Sequence, residues 1–201
     1  MHRLRGEGRQ PALSGFKRFA RTSFGTPGHL AGRFFASLRP GGPEPAGEAW
    51  ARNWLTQAET EIWAGMSGPD RRHAVEVARR VATASGNGDG AGVARNLLAA
   101  ALLHDAGKQR SALGVFGRTA TTVAAILVGR DRIASWAKGR SGWPARAGRY
   151  VTHDELGEEM LRKAGSDPLV FGWASDHHRP VASWTVDPGF GQILKAADDD
   201  Q

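Results

Sequence analysis

The sequence predicts an all-α protein, a compact helical bundle behind a largely irregular N-terminal leader. Three observations carry this reading. Apolar residues recur at helical spacing from Glu48 onward, helix start and stop residues punctuate the chain, and no stretch shows the two-residue alternation of a strand. The 201 residues suffice for one ordinary domain and are few for two.

Residues 1–45 form the leader. They carry eight basic and two acidic side chains, and their eight Gly and five Pro interrupt any helix. They also hold Phe16, Phe19, Phe24, Phe34 and Phe35, five of the eight Phe in the chain, which is rich for a solvated tail. The expectation is a flexible tail whose last part, around residues 33–38, packs on the body. The alternative is a docking segment for an anionic membrane or nucleic acid.

The body is 46–201. Trp50 and Trp54, then Ile62, Trp63 and Met66, mark a first apolar face. Ser67 and Asp70 read as a capping box opening a helix over 69–84, with Pro69 in its first turn. Residues 85–92 form a Gly-rich loop. Residues 93–106 are helix-forming and almost wholly apolar from Leu97 to Leu103, which predicts a central, buried helix stopped by Gly107. Further helices are expected at 119–129, 131–138, 153–164, 168–178 and 188–198, with Thr152 and Glu155 as a second capping box and Gly165 as a stop.

Charge and composition exclude several classes. The leader's surplus leaves the body with 19 basic and 18 acidic groups, so a globally basic nucleic-acid-binding domain is disfavoured. The absence of Cys removes disulfides, thiolate zinc sites and Cys nucleophiles. No window approaches the roughly 18 apolar residues of a membrane span, and no apolar secretory core stands near the N-terminus. The default compartment is the cytoplasm, although an Arg-rich, acid-poor leader also suits a transit peptide.

The body's five His, namely His73, His104, His153, His177 and His178, define the candidate site. His104-Asp105 closes the buried helix, and an ionised carboxylate beside an imidazole in Leu/Ala surroundings needs compensation. A divalent cation is the economical one, and imidazole with carboxylate suits Mn, Fe, Zn and related ions. Taken alone, the pair also fits a hydrogen-bonded helix end. Lys108 reads either as a phosphate-neutralising group or as an ordinary cation at a helix end. Arg71-Arg72 reads as a solvated helix start or as a phosphate contact, and Arg179 as surface or substrate-binding.

The ordered set His73, His104-Asp105-Ala106-Gly107-Lys108 and Asp198 resembles the HD-domain superfamily of metal-dependent phosphohydrolases. That pattern is an upstream His, a His-Asp pair, here in the His-Asp-x-Gly-Lys form, and a distant Asp. His153 and the His177-His178 pair resemble the additional positions of the HD-GYP-like branch, while that branch's Gly-Tyr-Pro motif is missing between His178 and Asp198. The resemblance spans roughly 69–198 and implies an HD-domain helical bundle. It implies metal ligands His73, His104, Asp105, His153, His177, His178 and Asp198, holding one or two divalent ions (Mn, Fe, Mg, Zn or Ni). Of the adjacent pair His177 is the favoured ligand, and Asp198 is favoured over Asp199 and Asp200. Asp105 and Lys108 take the catalytic roles, with Arg72, Lys108 and Arg179 toward substrate. The implied activity is hydrolysis of a nucleotide or other phosphate mono- or diester. A non-catalytic HD module binding a nucleotide or protein partner, and a di-iron oxygenase, are the alternatives.

Overall fold

The computed structural model describes residues 41–85, 90–138 and 141–199. Among them are ten α-helices and two short 3-10 segments, with no β-strand. The leader reading for residues 1–40 lies outside the described residues.

The apolar face from Trp50 to Met66 resolves into two helices, α1 (Pro45–Arg52) and α2 (Gln57–Gly65). Thr56 breaks the run because it caps α2. Its Oγ1 accepts from Glu59 N at 3.2 Å, and Glu59 Oε2 accepts from Thr56 N at 2.8 Å. This capping box was unread in the sequence. The fully buried Glu59 also accepts from Arg95 at 2.9 Å, tying α2 to the start of the buried apolar helix.

Helix α3 (Gly68–Ala84) begins where Ser67 Oγ accepts from Asp70 N at 3.3 Å. The return arm of the expected box goes elsewhere. Asp70 accepts from the Ser67 hydroxyl at 2.6 Å and pairs with both terminal nitrogens of Arg118 at 2.6 and 2.8 Å.

The buried helix is α4 (Arg95–Leu103), in which Leu97 through Leu103 are all buried. Such a helix, apolar all round, must sit at the centre. It packs against α3, α2, α9 (Pro168–Asp176) and α10 (Pro188–Asp199). It stops three residues earlier than the sequence suggests and hands over to a 3-10 segment, Ala106–Ser111. Gly107 therefore does not act as a left-handed stop. Its missing Cβ serves packing, because a Cβ there would overlap the carbonyl of His153 and crowd Gly157 N at 2.6 Å.

Beyond this turn, α5 (Val115–Val128), α6 (Arg130–Ser135) and α7 (Gly142–Val151) build a smaller core around Ile133, Ala147 and Val151. Helix α7 escaped the sequence reading. Its opening Ser141-Gly142-Trp143-Pro144 looks like a turn, and its apolar positions are mostly Ala and Gly. Helix α8 (His153–Lys163) follows at once, and Thr152 does not cap it, because its hydroxyl donates back to Gly148 O at 3.1 Å. Gly165 ends α8 with φ of 73°, as expected.

Candidate metal centre

Five helices deliver the candidate ligands to one place. His73 lies in the second turn of α3, His104 and Asp105 just past α4, and His153 at the start of α8. His177 and His178 follow the end of α9, and Asp198 is the penultimate residue of α10.

Three imidazoles are oriented by the same local device. The last carbonyls of a helix have no intrahelical partner, and a His three residues on can reach one. His104 Nδ1 donates to Ala101 O at 2.9 Å, His153 Nδ1 to Tyr150 O at 2.8 Å, and His177 Nδ1 to Ala174 O at 3.0 Å. With Nδ1 carrying the proton, Nε2 of a neutral ring is an acceptor, and in all three it faces Asp105. His153 Nε2 and His177 Nε2 each stand 3.5 Å from Asp105 Oδ1, and His104 Nε2 stands 3.4 Å from Asp105 Oδ2. Asp198 Oδ1 is 3.2 Å from His73 Nε2 and 3.9 Å from His104 Nε2.

The chemistry of these atoms is one-sided. Asp105 Oδ1, His153 Nε2, His177 Nε2 and Asp198 Oδ1 are buried and have no hydrogen-bond donor of good geometry among the described residues. Buried acceptors without donors are costly, roughly 1–3 kcal/mol each, and cations are the partners that would satisfy them. The donor atoms of Asp105, His153, His177 and His178 lie within 4.8 Å of one another, as do those of His73, His104 and Asp198, so both groups can hold a metal ion. His177 is fully buried and His178 is exposed at its outer edge, yet both belong to the first group. Asp198 is the buried member of its run, whereas Asp199 is exposed and pairs with Lys195 at 2.6 Å. Asp200 lies outside the described residues.

Electrostatics reflect the same crowding. Burial opposes charge on both partners of the His104–Asp105 pair. The carboxylate nevertheless lifts His104 to about 9, while Lys108 and His104 hold Asp105 well below the usual carboxylate range. Burial works against an ionised Asp198 too, but contact with His73 and the charge of His104 keep it low. Burial, reinforced by the neighbouring His177, pushes His178 down to about 3.

All of the cluster except His153 lines a cavity of about 450 Å³, within the range usual for small-molecule sites. Lys108 lines it and donates to Asp105 Oδ2 at 2.5 Å, so it fixes the carboxylate of the first group, which also faces His104 of the second at 3.4 Å. Arg72 lines it as well and donates to Gly41 O at 2.8 Å. Arg179 does not. Its guanidinium turns to Asp176 at 3.4 Å, and Asp176 in turn accepts from Thr185 and Val186, closing the loop that follows. Sequence reasoning missed Arg118 and Tyr150 on the cavity wall. Arg118 was detectable as the lone charge in an otherwise uncharged helix, but Tyr150 lies on the unread α7. Family models, curated proteins and solved structures give no match to this chain.

Proposed function

We propose that the chain is a metal-dependent phosphohydrolase of the HD type, acting on a phosphate mono- or diester such as a nucleotide. One observation carries this reading, the unpartnered buried atoms Asp105 Oδ1, His153 Nε2, His177 Nε2 and Asp198 Oδ1 beside a cavity lined by Lys108, Arg72 and Arg118. His73, His104 and Asp198 would hold one ion, and His153, His177 and His178 a second, with Asp105 offering an oxygen toward each. A divalent ion bound there supplies Lewis-acid polarisation of phosphoryl oxygens and acidifies water. The chain's own part is to orient and to bind. The three carbonyl-anchored imidazoles keep Nε2 aimed inward, Lys108 sets the plane of Asp105, and the wall cations attract an anionic ester.

The test is metal content by mass spectrometry after Mn²⁺ or Fe²⁺ loading, followed by hydrolysis of bis-p-nitrophenyl phosphate and a nucleotide panel. About one or two ions per chain with metal-dependent turnover are expected. Less than one ion overturns the metal reading, and bound metal without turnover overturns the hydrolase.

A further inference from the structure

Helix α5 carries an outward face that a folded chain rarely leaves to water. Phe116, Ile126 and Leu127 are 77, 78 and 77 % exposed, and Val123 and Val128 are 50 and 45 % exposed. Phe116, Ala120, Val123 and Leu127 follow the i, i+4, i+7, i+11 pattern of one helix face. No charged residue occurs from Thr119 to Gly129, and Trp143 adds a half-exposed aromatic at the start of the neighbouring α7.

Charge identifies what covers this face. The near-neutral body conceals a strong partition, since residues 108–149 hold nine basic side chains and a single acidic one, Asp131. Arg132, Lys138 and Arg146 are exposed and form no ion pair among the described residues. A second copy would set this excess against itself. The leader, with eight basic and two acidic residues, would meet like charge as well. Nucleic acid suits the charge but offers nothing to protruding Phe, Ile and Leu. An anionic lipid surface satisfies both features, apolar side chains entering the headgroup boundary and basic ones pairing with phosphates.

We propose that α5 with its basic flanks docks the chain on an anionic membrane surface. The helix has 14 residues, and no single helix among the described residues is long and apolar enough to cross a membrane; the one bent pair that reaches that length joins α5 to the helix of Leu97–Leu103, whose side chains are all buried in the protein, so the mode is lying on the surface. Val115, Arg118, Thr119 and Thr122, on another face of the same helix, line the cavity, so docking would set the cavity wall beside the membrane. The docking itself is independent of the metal reading.

The experiment is flotation of the full chain with vesicles of phosphatidylcholine alone and of phosphatidylcholine mixed with phosphatidylglycerol. Binding only to the anionic vesicles is expected. Ile126→Ser/Leu127→Ser and, separately, Arg132→Glu/Arg146→Glu should each weaken it about tenfold, with circular dichroism unchanged because all four side chains are exposed. Absence of vesicle binding overturns the proposal. So does binding that Ile126→Ser/Leu127→Ser leaves intact, which would place it in the leader. A dimer abolished by the same double variant, or preferential binding to duplex DNA, overturns it too.

Discussion

At the residue scale, the site depends on a few atoms with no alternative partners. Asp105 is the common neighbour of three imidazoles and Lys108. Asp105→Asn keeps the shape and removes the charge, and it should lower metal affinity by more than about a hundredfold, beyond the effect of losing an outer partner. Isothermal titration with Mn²⁺ checks this, and unchanged affinity would refute the ligand assignment. Gly107 is constrained by space alone. Gly107→Ala drives a methyl into the His153 carbonyl, so it should destabilise by about 1–3 kcal/mol in urea unfolding and shift a ligand-bearing helix. A variant as stable as the parent would show that α8 can give way.

Elements are joined by buried ion pairs that the sequence hides. Asp70 and Arg118, both lining the cavity, clamp α3 to α5. Burial opposes the Asp70 charge, but the guanidinium more than offsets this and holds its carboxyl low. The folded value is thus below the roughly 3.9 of an unfolded aspartate. The stabilisation is complete above about pH 4 and is lost as the pH falls through the folded value. Asp70→Asn should cost about 1–3 kcal/mol at pH 7, and the gap should narrow toward pH 3. A gap that stays constant would assign the effect to shape, not charge. The sequence exposed Asp70 as a cap and left its partner unseen, because a pairing 48 positions away leaves no local signal. Local signals elsewhere were mixed, since Thr152 does not cap α8 and Gly107 is no left-handed stop. The apolar block of α4 and the left-handed Gly165 were readable, and so was the Thr56–Glu59 box that went unread.

At the scale of the whole molecule, the ligands come from five helices far apart in sequence, so a bound ion is a fold constraint. At about a hundredfold excess over Kd, binding contributes about 2.7 kcal/mol, which for a chain of this size is roughly 5–10 °C in Tm. Stripping with EDTA should lower Tm by that amount and Mn²⁺ should restore it; indifference to both would argue against a metal. The membership of the cluster was legible because His-Asp-Ala-Gly-Lys, His73, His153, the His pair and Asp198 are recognisable residue types in order. The surface was not. Total charge averages over the body and so conceals the basic segment 108–149, and residue counts do not tell which apolar side chains remain outside.

The convergence of helix ends has one more consequence. Helices α4, α7 and α9 each finish at an imidazole of the cluster, and α10 finishes at Asp198. Each C-terminus carries roughly half a negative charge from its aligned peptide dipoles, against roughly half a positive one from the N-terminus of α8 at His153, so the backbone alone focuses on the order of one to two negative elementary charges on the cluster. The main chain thus selects for cations before any side chain contributes. Without an ion the same four poles repel one another. Hydrogen exchange in the metal-free protein should accordingly begin at the last turns of these helices, where backbone fields and ligand geometry meet.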